Sequence, residues 1–281
     1  MKNILITGKN SYVGTSVEKW LQQYPDRYKI DTLDMLDPIW VTFDFSKYDV
    51  VFHVAGIAHS TPKKSQKYLY YSVNTDLAIQ AATLAKKAKV KQFIFMSSMI
   101  VYNKKEKRIT KDTQPNPDNF YGDSKLQAEI GINKLRDDQF KVVILRPPMI
   151  YGPGSKGNFP KLMGFARRSF IFPNFKNKRS MLFIDNLSRS IQHLIDHESD
   201  GLFFPQNSDH MCTTEIVRET AKLLNKKVWF TRLFNPIIYL TRGWAGVMNK
   251  MFSDSFYDLE LSQTFFRSNY VNNIESIKKM I

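Results

Sequence analysis

Short apolar segments alternate with helix-like segments through the first half of this 281-residue chain, and this alternation limits its possible folds more than any other feature. Residues 3–7 and 50–54 are strongly apolar, as in strands covered on both faces. Between them, residues 13–24 carry apolar side chains at helical spacing. Repeated strand–helix–strand units predict a parallel sheet with helices on both faces and right-handed crossovers.

The pattern extends to about residue 150 and then weakens, because residues 151–161 have the composition of a loop. We therefore predict an α/β protein with a Rossmann-type, doubly wound parallel sheet and a smaller C-terminal region. The first domain is predicted to span 1–150, with 181–205 returning to it. The C-terminal region is predicted to comprise 151–180 and 206–281.

Composition and charge exclude several classes of protein. No apolar run reaches the ~20 residues of a membrane-spanning helix, and the opening residues are too short for a secretory signal. Cys212 is the only cysteine, so an intrachain disulfide is excluded, and we expect a cytoplasmic protein. The net charge of +15 is compatible with binding to nucleic acid, with binding to an anionic membrane, or with lysines spread over the surface. The lysines are scattered along the chain, which favours the last interpretation.

The segment ITGKNSYVG, residues 6–14, follows one predicted strand and precedes one predicted helix, as in a dinucleotide-binding loop. Gly8 allows a tight turn, and Gly14 allows close packing of the helix against the sheet. Ser11 stands where such loops usually have a third glycine. The free N–H groups of the helix N-terminus are expected to face a pyrophosphate. Asp34, at the end of the second strand, is expected to bind the adenosine ribose, with Asp31 and Asp37 as competitors.

A second pattern joins three groups suited to proton transfer. Tyr121 and Lys125 are four residues apart and therefore share a helix face. Ser98 ends the strand in FIFMSS, and its hydroxyl would hydrogen-bond the same substrate oxygen as the phenol. We expect the Lys125 charge to lower the tyrosine pKa from its usual value of ~10. Tyr-x-x-x-Lys also occurs by chance, so the spacing alone does not settle the function.

Together these motifs resemble the extended short-chain dehydrogenase/reductase family, and within it the enzymes that act on sugar nucleotides. TGKNSYVG is similar to the family's T-G-x-x-G-x-x-G and departs from it at Ser11. SSMIVY, YGDSK and LRPPMIYGPG are similar to three later family motifs. The resemblance covers most of the chain. It implies a dinucleotide-binding first domain, a substrate-binding C-terminal region, and catalysis by Ser98, Tyr121 and Lys125.

The resemblance also implies residues for the two ligands. RSMLFIDNL places Arg179 at the substrate diphosphate, GNFP suggests Asn158, and YDLELS suggests Asp258. Asn74 is expected to support the active-site strand. The catalytic Ser98 and Tyr121 would also contact the substrate, and Tyr121 and Lys125 the cofactor. The other implied cofactor-binding residues are Gly8, Ser11, Tyr12, Val13, Gly14, Asp34, Asp44, Phe45, Ala55 and Gly56.

The resemblance leaves the exact reaction open. Asp34 favours NAD, with NADP as an alternative, because a carboxylate repels a 2′-phosphate. Dehydration is set aside, since Met99 and Ile100 replace the acid pair that it needs. Reduction at C4 of a UDP-linked 4-keto-6-deoxy sugar, for surface polysaccharide synthesis, is slightly favoured over C4 epimerisation. A non-catalytic NAD(P)-binding regulator is a distant alternative. The resemblance also implies a homodimer, whereas no nucleic-acid partner is expected.

Two further features have simple structural interpretations. His53 and His59 are expected to be packing or surface residues, and the scattered histidines predict no metal site. Residues 234–252 are rich in apolar side chains and carry only Arg242 and Lys250 as charges. Core packing is the favoured interpretation of this segment. The alternative is an exposed apolar surface that docks on a membrane or partner.

Overall fold

The computed structural model describes residues 1–58, 64–241, 246–262 and 270–281. His59, Arg242 and Trp244 lie outside the described residues. The chain divides into two compact units. Unit 1 comprises residues 1–104, 114–147 and 184–205, and unit 2 comprises residues 105–113, 148–183 and 206–281.

The strands are numbered in chain order over the described residues. They are β1 (Lys2–Thr7), β2 (Tyr28–Leu33), β3 (Val50–His53), β4 (Gln92–Met96), β5 (Arg108–Ile109), β6 (Lys141–Leu145), β7 (Met149–Tyr151), β8 (Ile171–Pro173), β9 (Met181–Phe183), β10 (Gly201–Phe203), β11 (Trp229–Thr231) and β12 (Phe256–Tyr257).

The helices are numbered in the same way, and a π-helical turn at Ser72–Asp76 joins the second to the third. They are α1 (Tyr12–Leu21), α2 (Lys67–Tyr71), α3 (Leu77–Lys87), α4 (Phe120–Asn133), α5 (Asn158–Arg168), α6 (Ile184–Asp196), α7 (Thr213–Leu223), α8 (Asn235–Thr241), α9 (Gly246–Phe252) and α10 (Asn273–Lys278).

Unit 1 is built on one six-stranded sheet in the order β2-β1-β3-β4-β6-β10, and all its strands are parallel. This confirms the predicted doubly wound sheet. The strand order reverses between β1 and β3, which is the point at which ligands bind in sheets of this kind. The segments that follow β1 and β3 therefore meet where a dinucleotide is expected.

Strands β1, β3 and β4 are buried on both faces, as their apolar sequences predict. Leu5, Val51 and Phe93 pack in a hydrophobic cluster with the alanine-rich face of α3 and with α4. Ile4 and Ile94, which alternate with them along the strands, are equally buried. Helix α1 packs against α6, so that the sheet is covered by two helix pairs.

Unit 2 has its own smaller core and three two-stranded parallel pairs, β7 with β9, β8 with β11 and β5 with β12. Sequence analysis assigned residues 105–113 to the first domain, and this assignment was wrong. Strand β5 pairs with β12 near the C-terminus, with Arg108 opposite Phe256 and Ile109 opposite Tyr257. A pairing over such a sequence separation leaves no local signal in the sequence.

Candidate active site

The loop after β1 requires glycine at its first position. Gly8 has a φ of +100°, and a Cβ on this residue would lie 2.8 Å from the backbone nitrogen of Ala55. The chain leaving β1 is therefore pressed directly against the chain leaving β3. The N–H groups of Gly8 and Lys9 both donate to the Leu33 carbonyl, at 3.0 and 3.2 Å, which ties the loop to the end of β2.

Ser11 is the N-cap of α1, and this explains why serine is tolerated at a position that usually has glycine. Its Oγ accepts the Gly14 N–H at 3.0 Å, and its backbone is extended. A serine hydroxyl is a favourable N-cap because it satisfies one of the free N–H groups at a helix start. The prediction that these N–H groups remain free for a pyrophosphate was therefore wrong for Gly14. Tyr12 and Val13 form the first turn of the same helix.

The acidic residues near β2 differ in their partners. Asp34 directly follows β2 and accepts the Leu36 N–H at 2.9 Å, so it stays beside the glycine loop. Asp31 accepts the Tyr48 hydroxyl at 2.9 Å, and Asp37 caps the 3₁₀ turn at Pro38–Thr42. Asp34 thus remains the best placed of the three for a ribose contact, which stays a prediction.

Asp44 and Phe45, assigned to the adenine, have structural roles in unit 1. Asp44 is exposed and accepts both the N–H and the hydroxyl of Ser46, at 2.9 and 2.6 Å. These bonds hold the pKa of its carboxyl below the usual value. The Phe45 side chain is buried in the cluster with Trp40 and the α3 alanines. Only the main chain of Phe45 is left to meet a ligand.

The three predicted catalytic residues meet beyond the carboxyl end of β4. Asn119 caps α4 by accepting the Gly122 N–H at 3.0 Å, and this places Tyr121 in the first turn. Tyr121 is half-buried, and the nearby Ser98 side chain lowers the pKa of its phenol. Lys125, one turn further along α4, is buried, and its Nζ donates to the Met96 carbonyl at 2.9 Å. The structure therefore brings together the groups that the sequence pattern predicted.

The expected effect of Lys125 on the phenol is not observed. Burial raises the pKa of Tyr121 to about 12; Tyr70 acts in the same direction, and the Ser98 side chain opposes it. Burial also lowers the pKa of Lys125 to about 8, against the opposing field of Glu129. The prediction failed because the ammonium binds the end of β4 and lies 4.8 Å from the centre of the Phe95 ring.

Asn74 links the segment after β3 to α4, and its expected support of the active-site strand stays a prediction. Its Oδ1 accepts the Ile57 N–H at 2.8 Å, and its Nδ2 donates to the Ser124 hydroxyl at 3.1 Å. A Cβ on Gly56 would lie 2.9 Å from Asn74 Oδ1 and 3.1 Å from Lys125 Nζ. Because Gly56 has no side chain, the space next to the Lys125 ammonium stays free.

The sequence analysis missed a buried ionic network one turn beyond Lys125. Arg146 forms a bidentate ion pair with Glu129, with its closest contact at 2.6 Å, and donates to the Tyr102 hydroxyl at 2.7 Å. Glu129 also accepts the Ser97 hydroxyl. The available signal was a charged residue in each of two otherwise apolar segments, QAEIGI and VVILRP.

The other predicted substrate residues, apart from Ser98 and Tyr121, lie in unit 2. Asn158 begins α5. Arg179 donates to the Lys250 carbonyl at 2.8 Å, and burial lowers the pKa of its guanidinium. Asp258 forms a bidentate pair with Arg108, at 2.6 and 2.9 Å, and this holds its carboxyl pKa below the usual value. The substrate roles stay predictions, and the latter two side chains already have structural partners.

The residues of unit 1 fit a dinucleotide. Gly8, Gly14 and Gly56 each stand where a Cβ would come within 3 Å of a neighbouring atom, so the loops after β1 and β3 form a cradle without side chains at the switch point. Ala55 and Gly56 line the β3 side of that cradle. Within the described ranges, no three His, Cys, Asp or Glu residues are grouped as metal ligands would be.

The sheet topology and the glycine cradle define a dinucleotide-binding α/β protein. A model of the NAD-dependent epimerase/dehydratase family matches residues 4–202. The chain belongs to this family, and its cofactor is therefore NAD.

Two relatives are similar to this chain in sequence, and one solved structure is similar to it in fold. The chain is 34% identical over 256 residues to a UDP-glucose 4-epimerase of Vibrio cholerae, which covers 81% of this chain and 77% of the relative. It is 25% identical to an N-acetyl-α-D-glucosaminyl-diphospho-ditrans,octacis-undecaprenol 4-epimerase of Escherichia coli O157:H7, covering 89% and 80%. The structure of a Bacillus cereus UDP-N-acetylglucosamine 4-epimerase superposes with a TM-score of 0.79 at 16% identity, covering 99% and 98%. This last likeness concerns the fold alone.

Proposed function

We propose that this chain is an NAD-dependent 4-epimerase of a sugar carried on a diphosphate, with a UDP-sugar as substrate. The observation that supports the proposal is the grouping of Ser98, Tyr121 and buried Lys125 next to the glycine cradle. The two relatives described above are both named as 4-epimerases, and their names support epimerisation over the reduction that the sequence favoured. The preference for reduction is not confirmed.

NAD, when bound, would exchange a hydride with the sugar at C4. Tyr121, ionised to the phenolate, would take the proton from the O4 hydroxyl and later return it as the phenol, so the same group acts as base and as acid. Ser98 would hold O4 through its hydroxyl and keep the phenol oriented. Lys125 would place a positive charge near the developing negative charge, and burial makes such a charge more effective than in water.

Met99 and Ile100 form the 3₁₀ turn directly after Ser98 and offer no acid for proton removal at C5. The proposed chemistry is therefore confined to C4.

Asn158, Arg179 and Asp258 are proposed to hold the diphosphate and sugar of the substrate. We further propose that the enzyme works in the cytoplasm as a homodimer in polysaccharide synthesis. No helix among the described residues is long and apolar enough to cross a bilayer.

Reduction of a 4-keto sugar is the second candidate, and one observation favours it. The pKa of Tyr121 is raised to about 12, so the phenol is held in its protonated form at neutral pH. A reductase needs this group only as a proton donor to O4, whereas an epimerase also needs it as a base.

The two candidates are distinguished by the cofactor balance. The purified protein is incubated with UDP-glucose, UDP-N-acetylglucosamine and a polyprenyl-diphosphate-linked N-acetylglucosamine, without added NAD, and the sugars are analysed by NMR. The proposal predicts C4 epimers and NAD released on denaturation. Stoichiometric NADH consumption with a UDP-4-keto-6-deoxy sugar, and no epimer from any substrate, would assign the reductase instead.

A further inference from the structure

Unit 2 carries a group of exposed apolar side chains, which we call the apolar face. Phe170 is 79% exposed and Trp229 71%, and Leu233 and Leu240 are each 78% exposed. Single exposed apolar residues are ordinary, whereas a group of them indicates an interaction surface. The apolar face comprises Phe170, Ile171, Trp229, Leu233, Ile237 and Leu240.

The members of the apolar face are held together by β8, β11 and α8. Ile171 lies opposite Trp229 in the parallel pair, and the Trp229 N–H donates to the Phe170 carbonyl at 2.8 Å. Phe172, which follows exposed Ile171, packs instead in the small core of unit 2. The strand pair therefore presents one covered and one uncovered apolar side.

Helix α8 follows β11 after a short turn and continues the same surface. Ile237 and Leu240 are three residues apart and therefore lie on one side of α8, and exposed Leu233 lies in the turn that precedes the helix. Ile238 is fully buried in the core, so α8 is anchored by its opposite side. The exposed side chains of α8 are thus fixed in place on a packed helix.

The segments that build the apolar face contain no acidic residue. There is no Asp or Glu between Asp138 and Asp185, and none between Glu219 and Asp254. Exposed Arg168, Lys227 and Arg232 lie in the same stretches as the apolar side chains. Lys226 places its Nζ 5.1 Å from the centre of the Phe170 ring, so cation and aromatic ring are direct neighbours.

From this combination we propose that the apolar face docks on an anionic lipid bilayer. Aromatic and aliphatic side chains would enter the headgroup region, and the surrounding basic groups would bind lipid phosphates. A second copy of the chain fits less well, because a two-fold interface would bring the same positive groups together. Aliphatic Leu233, Ile237 and Leu240 suit acyl chains better than nucleic-acid bases.

The inference goes beyond the proposed reaction and does not depend on it. The test is cosedimentation of the full chain with vesicles of phosphatidylcholine alone or mixed with phosphatidylglycerol, at low and high salt. Wild-type protein is expected to sediment with the mixed vesicles, and added salt is expected to release it because surface charges are screened. Turnover on a soluble UDP-sugar, measured separately, reports on the reaction alone.

Two variants test separately the apolar side chains and the basic side chains of this surface. Phe170→Ser with Trp229→Ser and Leu240→Ser is expected to abolish sedimentation. Arg168→Gln with Lys227→Gln keeps the apolar side chains and is expected to weaken binding roughly fivefold for each charge removed. Circular dichroism checks the fold of both variants. The charge variant keeps the proposal testable even if the apolar variant fails to fold.

The matched controls lie in unit 1. Ile39→Ser with Tyr68→Ser removes two exposed apolar side chains, and Lys19→Gln with Lys87→Gln removes two exposed charges. Both controls should bind vesicles as the wild type does. The proposal is overturned if wild-type protein stays in the supernatant, or if controls and face variants behave alike. It is also overturned if light scattering shows that the apolar variant only turns a dimer into a monomer.

Discussion

Tyr121 is the residue on which the proposed chemistry rests. Tyr121→Phe removes one hydroxyl from a half-buried ring that packs beside Tyr70, so the fold should be kept. Loss of general acid–base catalysis should lower kcat by about 10²–10⁴-fold, with little change in NAD affinity. Steady-state kinetics on the accepted sugar and a fluorescence titration with NAD measure the two quantities. Near-normal turnover in this variant would contradict the assigned mechanism.

His53 is a buried group whose titration is expected to limit acid stability. Its Nδ1 is 2.8 Å from the Thr7 hydroxyl, its Nε2 has no hydrogen-bond partner, and its ring stacks with Phe93 and Phe95. Burial lowers its pKa to about 3, and the charge of Lys125 acts in the same direction. In the unfolded chain the imidazole would bind a proton near its ordinary pKa of ~6.5.

The difference between the folded and unfolded pKa values of His53 makes the folded chain less stable in acid. Between about pH 6.5 and 3 the unfolded chain binds a proton at this site and the folded chain does not, so stability falls on acidification by up to ~1.4 kcal/mol per pH unit. His53→Phe should remove this slope. Urea unfolding at several pH values measures it for both proteins, and equal slopes would show that His53 does not control acid stability.

At the scale of elements, α4 and β6 are joined by the buried pair of Glu129 and Arg146. Glu129→Gln would leave the guanidinium buried without its counter-charge, and breaking a buried pair in this way costs about 3–5 kcal/mol of unfolding free energy. Because Glu129 raises the pKa of Lys125, the same change should lower that pKa further. Denaturant unfolding measures the first effect, and NMR titration of the lysine measures the second.

The control for this prediction is a Glu→Gln change at a pair on the surface of α7. Half-buried Glu219 lies 3.8 Å from exposed Lys222, and helix surface pairs of this kind contribute about 0.3–0.5 kcal/mol. Glu219→Gln should therefore leave the unfolding midpoint nearly unchanged. If both substitutions destabilise the protein equally, the network does not join α4 to the sheet as described.

At the scale of the whole molecule, binding of NAD should stabilise the folded chain by mass action. At a free concentration of about 100 times Kd, the gain is about 2.7 kcal/mol. NADP should give a smaller shift of the thermal midpoint, because Asp34 would repel the 2′-phosphate. Asp34→Asn should reduce the difference between the two cofactors in differential scanning fluorimetry. An equal or larger shift with NADP for the wild type would show that Asp34 does not face the ribose.

The sequence by itself determined the features that depend on local spacing. Apolar runs and helical periodicity predicted the strands and helices of unit 1, because side chains repeat at the period of each element. The four-residue spacing of Tyr121 and Lys125 likewise predicted a shared helix face. Gly8 was predictable as well, since a tight turn out of a strand restricts the residue type.

Only the tertiary structure decided the features that join distant segments. It paired β5 with β12, put the Phe45 ring in the core, and joined Arg146 to Glu129. It also directed the Ser11 hydroxyl to the Gly14 N–H at the start of α1. Burial in the folded chain raised the pKa of Tyr121, whereas the sequence predicted a lower value. The physical reason is that burial and hydrogen-bond partners come from elements far apart in the chain, and no local pattern records them.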